Sequence, residues 1–428
     1  MFSPESGQSA LSRSTGLTDS IAAWLLTASV RDADYGTLVE GLGRRLLSGG
    51  IAVHRVNIGG VIVHPVMGAR DAVWEADSQS VRHDRITRNE LLTPAMQNSP
   101  FFSMAYEQQQ FYRLRLDGQD ASMPFPILGR LRDQGYTDYF ASFMSYGRSY
   151  STFGNLPASI EGALASFTTR RLGGFTDEEI DDLKRLHLPL SAAIKSSMTN
   201  DFALTLMHTY VGTYSAEQVA KGRISRGDAQ TTRCVIWYSD LRDCSGLAAS
   251  LPGEQYLALL NQYFDCTAGA IIDHGGEVLK FIGDAVLAIF PIIEPDRPAA
   301  DMCRAAVMAT REALQRARAV NDRRARDGVP TINFGAALHL GDVMYGNVGT
   351  ARRLDFTVIG RAVNEVARLE KCCKTLRKRV VASEEFCRAA PQTSRATPFD
   401  LDPALGVSAK QAYVLDDCFD RGIIAWRE

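Results

Sequence analysis

Cys234-Val-Ile-Trp-Tyr-Ser-Asp240-Leu-Arg-Asp-Cys-Ser-Gly-Leu247 and Gly275-Gly-Glu-Val-Leu-Lys280-Phe-Ile-Gly-Asp284-Ala-Val-Leu-Ala-Ile-Phe-Pro291 carry the pattern that decides the fold. Cys234 to Ser239 is an apolar run of strand length that stops at Asp240, and residues 241–247 turn the chain. Between the two blocks, Gln255 to Ile272 spaces Leu257, Leu260, Phe264, Ala268 and Ile271 at helical intervals, and His274-Gly275-Gly276 ends that helix. Glu277–Phe281 and Ala285–Phe290 flank Ile282-Gly283-Asp284, which predicts a short hairpin with Asp284 at its tip. Two strand-end carboxylates that meet across a sheet suit a hard cation, because Mg²⁺ is held by one or two carboxylates together with substrate phosphates.

Downstream, Ala299 to Arg326 is a predicted helix with Met302, Ala306, Ala309, Ala313, Ala317 and Val320 at core spacing. Its arginines are interspersed with acids and make a solvated face rather than a nucleic-acid stripe. Thr331–Leu340 and Val343–Val348 read as two strands joined at Gly341-Asp342, and Arg353–Ile359 as another, so the domain is α+β with a mixed sheet.

Upstream, residues 1–16 are Ser/Gly-rich and predicted to be disordered. Residues 17–195 form a predicted domain of their own. Helices around Ile21–Leu25 and Tyr35–Leu47 come first, and Ile51–Ile58 and Val61–Val66 then read as a hairpin about Gly59-Gly60. Residues 67–125 read as irregular. Ile127–Gln134 is a short helix, Asp138–Ser145 and Gly162–Thr169 are strands, and Thr176 opens a capping box with Glu179 on a helix carrying Ile180, Leu183, Leu186, Leu190 and Ile194. Residues 196–229 are a helical linker, broken at Lys221–Gly227, and residues 230–428 are the domain that holds both aspartates.

With 47 basic and 49 acidic residues the net charge is −2, and no strong field favours nucleic acid or an anionic membrane. The longest apolar runs fall short of the roughly 20 residues of a spanning helix. The Ser/Gly-rich start lacks the pattern of an export signal, so a cytoplasmic location is expected. All eight cysteines lie at or after Cys234 without CxxC spacing, which fits reduced core residues and not a zinc site or disulfide framework.

The two opening blocks, with Leu354-Asp-Phe-Thr357-Val-Ile-Gly-Arg-Ala-Val-Asn364-Glu-Val-Ala-Arg368-Leu-Glu, resemble the catalytic domain of the class III adenylate and guanylate cyclases, in the family's order. The resemblance implies a ferredoxin-like mixed sheet with helices, one active site shared by two protomers of a homodimer, and conversion of ATP to 3′,5′-cyclic AMP and pyrophosphate. It places two Mg²⁺ (or Mn²⁺) ions per site on Asp240 and Asp284, and phosphate oxygens on the amides of Leu241, Arg242, Asp243, Cys244 and Ser245. Asn364 would orient the ribose and Arg368 would stabilise charge on the α-phosphate. Lys280 and Thr357 take the purine-selecting positions, in a pairing similar to the subgroup called IIIb. An ammonium only donates, which suits adenine N1 and opposes guanine. Guanylate cyclase activity and a catalytically weak, nucleotide-binding regulatory dimer are the alternatives. Asp243 and Cys244 stand where glycine and phenylalanine are usual, and Ala404-Leu-Gly-Val lacks a basic residue that Lys410 or Arg353 would have to replace. The layout of residues 17–195 resembles a GAF-type sensor, as a pocket for an unidentified small-molecule regulator or as a dimerisation scaffold.

Overall fold

The computed structural model describes residues 5–61, 67–87, 90, 93–118, 123–146, 161–390, 395–405, 407 and 410–415, in two compact units, Met1–Leu206 and Met207–Glu428. In the first unit, α1 (Glu5–Val30) and α2 (Tyr35–Ser48) precede a six-stranded antiparallel sheet of order β3-β2-β1-β6-β5-β4. Its strands are β1 (Arg55–Val61), β2 (Met67–Glu75), β3 (Val81–Thr87), β4 (Phe111–Arg115), β5 (Asp138–Ser145) and β6 (Gly162–Thr169). Short helices α3 (Pro94–Gln97), α4 (Pro100–Glu107) and α5 (Pro126–Asp133) interrupt them, and α6 (Asp177–Arg185) and α7 (His187–Val211) follow.

Strand alternation divides the side chains between two cores. Val56, Ile58, Trp74 and Phe167 pack with α1, α2, α6 and α7 on one face, and Val61, Ala69, Tyr139, Phe143 and Leu164 pack with α4 and α5 on the other. The capping box at α6 forms as its sequence predicts, with Glu179 N donating to Thr176 Oγ1 at 3.2 Å and Thr176 N to Glu179 Oε2 at 2.8 Å.

Three expectations differ here. α1 starts at Glu5, ahead of the predicted Leu17, because extending a helix already anchored at Ile21 and Leu25 costs little per residue. Gly59 and Gly60 lie inside β1 rather than in a turn. A Cβ on Gly60 would fall 2.7 Å from Tyr35 Oη, so the glycine admits α2 and α7 close to the strand. The rest of the expected second strand, residues 62–66, lies outside the described residues. Residues 67–125 hold β2 to β4 and not an irregular loop, with Trp74 fully buried at the centre of the first core.

The second unit opens with α8 (Thr213–Ala220), separated from α7 by Gly212 at φ 86°, where a continuous helix was expected. Glu277 replaces an N-cap side chain, accepting from Tyr214 N at 2.8 Å and Ser215 N at 3.1 Å. Then come β7 (Ala229–Leu241), α9 (Cys244–Ser250), α10 (Gly253–Asp273), β8 (Glu277–Ile282), β9 (Ala285–Pro291), α11 (Ala299–Arg326), β10 (Phe334–Thr350), β11 (Arg353–Ile359), α12 (Arg361–Leu376), β12 (Val380–Ser383), α13 (Glu384–Ala389), β13 (Thr397–Asp400) and β14 (Gln411–Val414). The sheet order is β13-β14-β12-β10-β7-β9-β8, with β11 also on β10 and one parallel pair, β10 with β12. Central β7 is covered on both faces. Val235, Trp237 and Leu241 pack on α10 and α11, and Cys234 and Ile236 on the α12 side, which accounts for its unbroken apolar run.

β10 runs straight through Gly341-Asp342, where the sequence predicts a turn, because its pairing with β7 continues from Phe334↔Leu241 to Gly346↔Ala229. The glycine serves packing instead: a Cβ there would sit 2.8 Å from Ala362 Cβ on α12. A turn glycine would tolerate substitution, whereas Gly341→Val is expected to destabilise the protein by about 1–3 kcal/mol, read as a lower midpoint in urea unfolding.

Candidate active site

Asp240 is the penultimate residue of β7 and stands opposite Ala285 on β9 and Gly335 on β10. Asp284 immediately precedes Ala285, in the two-residue Gly283-Asp284 turn that closes Ile282↔Ala285. Gly283 has φ 66°, as the first central position of a type II′ hairpin turn requires. The register therefore puts the two carboxyls side by side, in hydrogen-bond contact. Burial, then the charges of Asp284 and Glu370, push Asp240 up to about 6. Among the described residues no three or more His, Cys, Asp and Glu side chains are placed to hold a metal ion by themselves. Two crowded carboxylates whose repulsion a cation would remove fit a divalent ion that takes its remaining oxygens from substrate and water.

The residues after Asp240 divide into two roles. The Arg242 amide donates to Asn333 O at 2.7 Å and is not spare for a ligand, whereas Leu241, the last residue of β7, stands in a pair whose amide points away from β10. The Arg242 guanidinium forms a buried ion pair with Glu370 of α12 at 2.7 Å. Gly335 makes room for it: a Cβ there would lie 2.6 Å from Arg242 Cζ. Asp243 adopts φ 55°, a left-handed conformation that favours glycine and that aspartate tolerates, and it precedes α9 at the N-cap position without a side-chain cap bond. Cys244 Sγ lies 2.8 Å from Tyr256 Oη and also reaches Asp284, while Ser245 is exposed in the first turn of α9.

The other site residues lie on different elements. Lys280 of β8 forms an ion pair with Asp355 of β11. Thr357, the predicted selector, is two residues on and shares the half-exposed face of β11, opposite buried Phe356 and Val358. Asn364 and Arg368 are four apart on α12 and both exposed, while Val366, Leu369 and Cys373 face the core. Arg353 and Lys410, the candidate basic replacements, are both exposed. Glu370, Gly335, Tyr256 and the Asp355 contact escaped the sequence. The one signal was Glu370 itself, a charge in the apolar stripe of α12. A groove of about 680 Å³ between α10 and α11 is lined by neither aspartate.

Residues 228–397 match the adenylate and guanylate cyclase catalytic domain. That segment is a class III cyclase catalytic domain. An uncharacterized protein of Mycobacterium tuberculosis is 30% identical over 223 residues, covering 52% of this chain and 39% of that protein. An adenylate cyclase of Anabaena cylindrica is 32% identical over 169 residues, covering 39% of this chain and 32% of the relative. The guanylyl cyclase Cya2 structure is similar at 24% identity and TM-score 0.38, over 44% of this chain and 93% of that one. The chain thus spans two fifths or less of the length of these two curated relatives. Among the described residues no helix is long and apolar enough to cross a membrane.

The raised proton affinity of Asp240 fixes the sign of a pH effect in the metal-free cyclase domain. A carboxyl that binds its proton more tightly in the folded state favours folding below its folded pKa, and that contribution is lost as pH rises through about 6. The Tm of metal-free protein should fall between pH 5 and pH 7.5, less so in Asp240→Asn. Mn²⁺ at pH 7.5 should raise the Tm of wild type and leave Asp240→Asn unmoved; equal responses in calorimetry would exclude the paired-carboxylate site.

Proposed function

We propose that the cyclase domain converts ATP to 3′,5′-cyclic AMP and pyrophosphate in a site shared between two copies of the chain. The observation that carries this reading is the Asp240–Asp284 pair at adjoining strand ends. These two side chains would hold Mg²⁺ or Mn²⁺. Bound there, the metal would acidify the ribose 3′-hydroxyl and offset the charge of the triphosphate. The 3′-hydroxyl gives up its proton to water as its oxygen forms a bond to the α-phosphorus, the bond from that phosphorus to the oxygen bridging it to the β-phosphate breaks, and pyrophosphate leaves. Arg368 meets the charge that develops on the α-phosphate, and Asn364 holds the ribose. Lys280, steadied by Asp355, donates to adenine N1, and the Thr357 hydroxyl accepts from the 6-amino group.

Sharing between protomers is supported by exposed apolar side chains on β8, β10 and β11: Phe281, Ile282, Met344, Leu354 and Ile359 are each more than a third exposed. The first unit, with its helical linker, serves in this reading as the regulatory, GAF-like part.

Incubation with ATP or GTP plus Mn²⁺, followed by identification of the product, tests the reaction; cyclic AMP from ATP is expected, and cyclic GMP as the main product would reverse the base assignment. Mixing inactive Asp240→Ala with inactive Arg368→Ala protein should restore about a quarter of wild-type activity under random exchange, because half the dimers are mixed and each has one intact site of two. Persistent inactivity despite subunit exchange would rule out the shared site. Asp243→Gly relieves a left-handed aspartate worth about 1–2 kcal/mol and removes a carboxylate beside the phosphates, so its KM for ATP should drop several-fold; an unchanged KM would show that Asp243 points away from the nucleotide.

A further inference from the structure

The first unit contains a cavity of about 460 Å³ between its sheet and the helices α3, α4 and α5. The two walls differ in chemistry. The roof is apolar, with Phe101, Pro126 and Ile127 facing inward. The floor is polar: Arg55 and Asn57 of β1, Asp71 of β2, Tyr139 of β5 and Ser166 of β6 all project from one sheet face by strand alternation. Gly59 keeps that floor open, since a Cβ there would lie 3.1 Å from Asp71 Oδ1.

Buried polar groups require partners, and a buried cation does so most of all. Asn57 donates to Asp71, and at the cavity edge Arg82 pairs with Asp84 at 3.1 Å. Arg55 is different. It is 8% exposed, and its guanidinium makes no hydrogen bond or ion pair among the described residues. An arginine cannot shed its charge to relieve that position. Arg130 at the cavity mouth is exposed to solvent. Of the two charges on the floor, Asp71 faces Arg55 and accepts from Asn57, whereas the Arg55 guanidinium has donors with no acceptor among the described residues.

We infer that this cavity binds a small organic anion, a compound with a ring-sized apolar body and one carboxylate, sulfonate or phosphate group. The anionic group lies on Arg55, with Ser166 and Tyr139 as further donors, and the apolar body fills the space beneath Phe101, Pro126 and Ile127. The volume suits a ligand of one to three rings. Nothing in the inference depends on the cyclase reaction, which concerns the other unit.

The test uses the full chain and two probes of one shape, 8-anilinonaphthalene-1-sulfonate and its neutral counterpart N-phenyl-1-naphthylamine, followed by fluorescence. The sulfonate is expected to bind saturably at one site per chain. Arg55→Met should weaken it about tenfold or more, as loss of a charge-assisted hydrogen bond does, and change the neutral probe by less than about twofold. Equal sulfonate affinity in wild type and Arg55→Met, or equal losses for both probes, would overturn the assignment. Because Arg55 is buried, a second variant guards against misfolding: Ile127→Trp, at a half-exposed roof position, fills the cavity and should exclude both probes. Undiminished sulfonate binding by folded Ile127→Trp protein would place the probe elsewhere and end the proposal.

Discussion

The site depends on strand register. Asp240 meets Asp284 because β7 and β9 pair with Asp240 opposite Ala285, and the Gly283 turn brings Asp284 back beside that pair. A slip of one residue would move Asp240 to the opposite face and take fully buried Trp237 out of its core against α10 and α11 and into the one on the α12 side. The apolar core therefore maintains the geometry of two charges that repel each other. β10 secures the other edge of β7 over 13 paired residues, from Phe334↔Leu241 to Gly346↔Ala229.

Beside the carboxylates, Arg242 and Glu370 form an ion pair with little access to water, 14% and 4% exposed. Such a pair contributes little net stability, because desolvation offsets much of the attraction, yet removing one partner leaves a buried charge and is costly. Its effect is geometric. It ties the end of β7, just after Asp240, to α12, the helix that carries Asn364 and Arg368. The loop after Asp240 is thereby held by the Arg242 side chain, while the Arg242 amide, one of the five that the resemblance assigns to phosphate, is taken up by Asn333 O.

The two units use buried charge differently. In the cyclase domain, Arg242 has a matched partner and serves structure. In the first unit, Arg55 is more deeply buried and has no such ion-pair partner among the described residues, while the sheet face on the other side of the same strand is apolar at Val56 and Ile58. One strand thus supports a packed core on one side and a polar-floored cavity on the other.

The sequence alone determined the elements whose signals are local. The β8–β9 hairpin, the capping box at Thr176 and the span of α11 follow from turn chemistry, capping and helical periodicity, each acting within a few residues. The paired aspartates were legible because both sit where strands end. Only the tertiary structure decided what the glycines at 59, 60 and 341 do. In sequence they look like turns, and in the fold they are strand positions where Tyr35, Asp71 or Ala362 presses against the backbone. The same holds for Arg242 with Glu370 and Lys280 with Asp355, pairs that lie 128 and 75 residues apart in sequence. No local rule couples residues at that separation. They meet because sheet register and helix packing bring them together, and the long-range geometry that sets their roles exists only in the folded chain.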